Sequence, residues 1–204
     1  MGLEAETASG NIPEAVLAAP RRKLVLGLGN PGPEYSATRH NVGFRVVEEL
    51  AGRRGVELGG LECNAVTGSG ENLLLALPQT YMNRSGLALR CLLERSSFGP
   101  DDVLVVYDDV ALPLGRLRLR VRGGPGGHRG MESVIENLRT EEVARLRCGI
   151  AAADTADLDL VRFVLEAFGP DEEEAVAAMV GQAAEACEAW LDLGPAVAMN
   201  RYNG

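Results

Sequence analysis

The chain has 204 residues, 46% of them apolar and 24% charged, with a formal net charge of −9. That length supports one domain with a proper core, and the composition is that of an ordinary soluble globular protein. There is no apolar run of about 20 residues to span a bilayer and no apolar stretch of a secretory signal in the first residues, and two histidines with four scattered cysteines fit a zinc centre poorly.

Residues 1–20 lack periodicity and are expected to be a disordered N-terminal extension, leaving one domain over 21–204. Leu24-Val25-Leu26-Gly27-Leu28 is an apolar run between basic residues and a Gly/Pro cluster, which predicts a short buried strand. Asn30 follows at its carboxyl end, where ligands gather in open α/β sheets. Gly27 to Gly32 has the G-x-G-x-x-G spacing of a dinucleotide site, but the chemistry is wrong. Pro31 and Pro33 each remove an N–H that a pyrophosphate would need, and Pro33 turns Gly32 away from helical geometry. The acidic partner would be Glu48 or Glu49, inside the next helical pattern, so a nucleotide-dependent oxidoreductase is excluded.

A helix is predicted over 42–54, ending at Gly55. Leu73–Leu77 reads as a buried strand stopped by Pro78, followed by a helix over about 85–97. Val103–Tyr107 is another buried strand, with Asp108-Asp109 at its end and a turn at 112–115. From Arg116 to Arg122 arginine alternates with aliphatic residues, the pattern of a half-buried strand with four arginines on one face. Residues 123–130 are too glycine-rich for anything but a loop. Helices near 131–138, 158–168 and 171–193, a strand near 146–151 and a last helical turn over 196–202 complete the pattern. Alternating helices and apolar strands indicate an α/β fold: a single-domain, three-layer α/β/α sandwich on a mixed, largely parallel twisted sheet.

The acidic average hides a basic patch. Residues 151–204 carry the whole net charge of −9, whereas residues 110–150 hold eight arginines against four glutamates. Lys23 is the only lysine. Arginine is the better phosphate binder, so RNA remains a possible partner. The cysteines, Cys63, Cys91, Cys148 and Cys187, contain no C-x-x-C and read as thiols in a reducing, cytoplasmic compartment.

Asn30, His40, Asn83, Asp108 and His128 stand just after apolar strands or beside Gly/Pro-rich loops. Singly, each has a plain structural reading: turn, helix cap or surface loop, and the arginine stripe could be a protected sheet edge. Together they offer a histidine and a carboxylate able to activate water, and amides able to hold a water or a carbonyl oxygen. No Ser or Cys stands in a nucleophile-elbow context.

Five motifs, Leu26–Tyr35, Thr38–Gly43, Pro78–Gly86, Asp108–Gly115 and Gly123–His128, resemble bacterial peptidyl-tRNA hydrolases in order and spacing, and the resemblance covers about residues 22–202. It implies hydrolysis of the ester of peptidyl-tRNA without cofactor or metal, by a monomer that needs no membrane. His40 would be the general base, Asp108 its partner, and Asn30 would help to tell N-blocked from free aminoacyl-tRNA. Tyr35, Tyr81, Met82, Asn83, His128 and Arg129 would meet the substrate. Arg120 and Arg147 would meet tRNA phosphates, with Arg116, Arg118, Arg122 and Arg145 in the same patch. Two positions depart from the pattern. Arg129 stands where the family usually has Asn and cannot accept a hydrogen bond, and Gly149-Ile-Ala-Ala-Ala153 replaces a usual Gly-Ile-Gly-x-Pro. A rival reading is a non-catalytic RNA-binding relative acting as an adaptor, which would not require Asn30, His40, Asn83 and Asp108 as a set.

Overall fold

The computed structural model describes residues 22–152 and 159–203. The expected extension over residues 1–20 lies outside them. In chain order the strands are β1 (Lys23–Gly27), β2 (Gly60–Glu62), β3 (Ala65–Ser69), β4 (Leu73–Pro78), β5 (Val103–Pro113), β6 (Leu117–Arg120) and β7 (Ala144–Ala151). The helices are α1 (Val42–Arg54), α2 (Ser85–Glu94), α3 (Arg129–Leu138), α4 (Leu160–Leu165), α5 (Glu173–Leu193) and α6 (Pro195–Tyr202).

The strands form one sheet in the order β2-β3-β4-β1-β5-β7-β6. The four central strands are parallel, and β2, β3 and β6 join antiparallel at the edges. Side chains alternate along β1: Val25 packs with Val46, Val47 and Leu50 of α1 and with α5, while Leu24 and Leu26 pack with Leu89 of α2 and Met131 of α3. Both faces of the central strands are therefore buried, which is why they are continuously apolar in sequence. The three-layer α/β/α sandwich on a mixed sheet is as expected.

Helix α1 ends where Gly55 adopts φ 60, its N–H reaching back to the last turn. Lys23 Nζ donates to the carbonyls of Trp190 and Leu191 at 3.0 and 2.9 Å and lies 4.8 Å from the Trp190 ring centroid, fastening β1 to the carboxyl end of α5. No helix among the described residues is long and apolar enough to cross a membrane.

The structure departs from the sequence reading at several points. Strand β5 runs on to Pro113 instead of ending at Tyr107, so Asp108 and Asp109 lie within it, still paired with β7, and α2 ends at Glu94. The β2–β3 hairpin was not foreseen: its turn uses Cys63 and Asn64 at φ 52 and 56, without the Asn-Gly or Asp-Gly that marks such turns. Helix α4 is shorter than the expected 158–168, starting where Asp159 caps the N–H groups of Val161 and Arg162; Leu158 lies outside the described residues. The expectation of four thiols is corrected, because Cys63 and Cys91 form a disulfide with Cα atoms 5.6 Å apart. The hairpin turn lies against α2, and that proximity was not visible across 28 residues of sequence. Cys148 and Cys187 are buried thiols, and burial pushes both up.

Candidate active site

The site is assembled beyond the carboxyl ends of β1 and β4, where β5 runs on past its pairing with β1 and carries Asp108. A Cβ on Gly43 would lie 2.4 Å from the carbonyl oxygen of Val106 and 2.5 Å from that of Leu28. Only glycine allows the start of α1 to lie this close to β1 and β5. The 3₁₀ turn Arg39–Asn41 just before it is thereby carried over the strand ends. His40 Nδ1 lies 2.9 and 3.0 Å from the two carboxylate oxygens of Asp108. Burial alone would push the Asp108 carboxyl up, but His128 and His40, both facing it, hold it well below the usual carboxylate range. An ionised carboxylate only accepts, so His40 Nδ1 donates and Nε2 keeps its lone pair.

His128 meets the same carboxylate through its other nitrogen. Its Nδ1 accepts the N–H of Met131 at 3.1 Å, capping α3, and its Nε2 lies 3.0 Å from Asp108 Oδ1. An Nδ1 that accepts carries no proton, so the proton is on Nε2 and His128 is a neutral donor. Its ring packs at 4.6 Å from Tyr107 and 5.0 Å from His40 between centroids. Burial pushes the Tyr107 hydroxyl up to about 12. Gly130 completes the closure, since a Cβ there would come 2.4 Å from Met82 Sδ.

His40, Asp108 and His128 place three potential metal-ligand atoms within 4.8 Å of one another. A ligating histidine normally donates through its second nitrogen. The second nitrogen of His128 instead accepts from a backbone N–H, so metal on Nε2 would require an imidazolate. The donor set fits a hydrogen-bonded trio better than a metal centre.

Asn30 is held at three points. Its N–H donates to Asn41 Oδ1 and its carbonyl accepts from Asn41 Nδ2, each at 2.9 Å, while its Oδ1 accepts the Met82 N–H at 2.8 Å. The Oδ1 being engaged, Nδ2 is the end offered to a ligand. Asn41 is a positioning residue that sequence reasoning missed: asparagine just before a helix is a good cap by type, yet its side chain makes no cap hydrogen bond.

Asn30, His40, Tyr107, Asp108 and His128 line a cleft of about 1330 Å³ together with Tyr81, Met82, Asn83 and Arg129. Arg120 and Arg147 border it, and Arg147 Nε pairs with Asp109. The Arg129 side chain is 76% exposed and pairs with Glu132 at 3.2 Å. Two residues sit apart from the rest of the expected set. Tyr35 does not line the cleft; it closes a 3₁₀ turn and its carbonyl accepts the N–H and hydroxyl of Thr38. Arg145 is 2% exposed, and its guanidinium is spent on the carbonyls of Gly123, Gly124, Glu141 and Val143. Burial also pulls its pKa down. Of the arginine stripe, only Arg120 and Arg122 reach the cleft; Arg116 and Arg118 are exposed outside it. The facing wall, Leu160, Val161, Val164 and Leu165 of α4, was not foreseen. Its only sequence signal is four apolar residues at i, i+1, i+4 and i+5.

The mixed α/β sheet carries, in this cleft, a histidine–carboxylate pair of the kind that activates water in hydrolases. The sequence profile of the family described as peptidyl-tRNA hydrolase matches residues 24–204, and the chain belongs to that family. A peptidyl-tRNA hydrolase of Synechococcus sp. (strain JA-3-3Ab) is 47% identical over 187 residues, 89% of this chain and 82% of that one. That of Aquifex aeolicus (strain VF5) is 42% identical, covering 89% and 96%. The crystal structure of peptidyl-tRNA hydrolase from Acinetobacter baumannii superposes with a TM-score of 0.84 at 30% identity, covering 92% of this chain and 97% of that one.

Proposed function

We propose that the chain hydrolyses the ester between the C-terminal carboxyl of a peptide and the terminal ribose of tRNA, releasing peptide and free tRNA. The observation that carries this reading is the His40–Asp108 pair, which leaves His40 Nε2 basic at the cleft. Nε2 takes a proton from water as its oxygen attacks the ester carbonyl. The amide N–H groups of Asn30 and Asn83 are suited to hold the resulting oxyanion. The tetrahedral intermediate then expels the ribose oxygen, which takes the proton from the His40 imidazolium and leaves as the free hydroxyl. Asp108 fixes the tautomer of His40 and stabilises the imidazolium that forms in between.

Tyr81 and Met82 meet the acyl group and Arg129 the rim of the substrate. Arg120 and Arg147 bind phosphates, a mode that reads the RNA backbone rather than its bases. The enzyme acts as a monomer in the cytoplasm, where its substrate arises, without a metal. The test is release of N-acetylaminoacyl groups from tRNA by the purified protein, with unblocked aminoacyl-tRNA as control. Rapid release from the blocked substrate alone is expected. RNA binding without release would favour the adaptor reading.

A further inference from the structure

We propose that Arg39 is a positioning residue that holds the α4 wall against the cleft, a role that rests on the hydrolytic reading above. Arg39 immediately precedes His40 and is 7% exposed. A charged group so buried needs compensation, and here all of it comes from one stretch. Nη1 donates to the carbonyls of Ala167 and Glu166 at 2.7 and 3.4 Å, and Nη2 pairs with Glu172 at 2.6 Å. The guanidinium carbon lies 4.4 Å from the Phe163 ring centroid and 5.0 Å from that of Phe168. The backbone joins in: Arg39 N–H donates to the Glu166 carbonyl at 3.0 Å, and Thr38 bridges to Ala167. Nε has no partner.

Among the described residues every side-chain partner of Arg39 thus lies between Phe163 and Glu172. That stretch carries the carboxyl end of α4, and the apolar side chains of α4, Leu165 among them, form the wall facing the catalytic groups. With six residues and no buried side chain but Phe163, α4 has little core of its own to hold it. One planar fork reaching two carbonyls, a carboxylate and two rings does so. Lysine, a single point donor on a flexible stem, cannot replace it. His40 has an independent anchor in Asp108, so loss of the fork moves the wall more than the base, and the effect falls on substrate binding.

The experiment measures hydrolysis of N-acetylaminoacyl-tRNA by the full chain and by Arg39→Lys, Leu165→Ala, the double variant and Glu172→Gln, each below its melting temperature. An inactive wild type would overturn the hydrolytic reading itself, separately from this proposal. With an active wild type, Arg39→Lys is expected to raise KM about five- to tenfold with kcat within about twofold. Leu165→Ala is expected to raise KM alone but to add nothing in the Arg39→Lys background, because the wall is already displaced. Glu172→Gln keeps an acceptor for the Gly169 N–H and removes only the charge. It is expected to raise KM about two- to threefold, and it carries the test should Arg39→Lys not fold. Unchanged KM in the folded variants, or effects of Arg39→Lys and Leu165→Ala that simply multiply, would overturn the proposal.

Discussion

His40 and His128 approach Asp108 from two sides, one through Nδ1 and the other through Nε2. Their remaining nitrogens meet different surroundings. That of His128 is occupied by the Met131 N–H, whereas that of His40 is left for the cleft. Residue type and shared partner are the same; what differs is whether a lone pair remains. The arginines divide in the same way. Arg145 gives its fork to four backbone carbonyls, while Arg120, among the described residues, bonds only to the carbonyl of the residue before it. A group is available to a substrate only to the extent that the fold has not already used it.

The sharpest way to break this comparison is His40→Ala. Losing a general base is expected to lower kcat by about 10²–10⁴-fold while tRNA binding is largely kept. Near-normal turnover would mean that the basic nitrogen lies elsewhere. Asp108→Asn is expected to lower kcat by about 10²-fold, since an amide can no longer stabilise an imidazolium or dictate its tautomer. The same variant gives a pH signature. The folded state depresses the Asp108 pKa, so its ionisation stabilises the fold above the unfolded carboxylate value of about 3.9 and that stability is lost as pH falls further. Thermal melts should therefore show a gap between wild type and Asp108→Asn that is full at neutral pH and narrows below about pH 4. A gap independent of pH would contradict an ionised Asp108.

His128 should be milder and should split into two effects. His128→Ala removes a helix cap, worth about 1 kcal/mol of stability, and one hydrogen bond to Asp108, worth about tenfold in rate at most. His128→Asn can restore the cap without reaching Asp108, so its melting temperature should recover and its rate should not. A loss as large as that of His40→Ala would dissolve the distinction between the two histidines.

The smallest effect belongs to the arginines. Arg120→Ala should raise KM alike for unrelated tRNAs and flatten the salt dependence of binding by about 0.7–0.9 in logarithmic slope, one phosphate contact. Arg145→Ala should instead lower the melting temperature, because it orphans buried carbonyls. A parallel salt slope for Arg120→Ala would reduce that residue to a solvated edge charge.

The central strands, both faces of the sheet and most helices were legible because each is a matter of local apolar pattern. Asn30, His40, Asp108 and Asn83 were visible as polar residues in unusual places, and the resemblance gave them roles. Four features were hidden for physical reasons. Asn41 has the sequence signature of a cap, and only the fold of β1 against α1 turns its amide toward Asn30. Arg145 alternates in sequence like its neighbours, and nothing local says that the loop at Gly123 will fold over it. The Cys63–Cys91 bond and the α4 wall depend on contacts between distant parts of the chain. Tyr35 carries its motif, but its turn closes on Thr38 outside the lining of this cleft.

Lys23 ties β1 to α5. It is the single lysine among 20 basic residues, so every other basic side chain, the cleft rim included, is a guanidinium. Acetylation of lysine, which would neutralise an ammonium, has no target on the surface proposed to meet RNA. Guanidinium groups also keep their charge at any pH in which the protein is folded. The affinity of this surface is therefore set by sequence and salt, beyond the reach of acyl-group signalling. An amine-reactive label has Lys23 as its one side-chain target, at the end of the sheet opposite the catalytic groups.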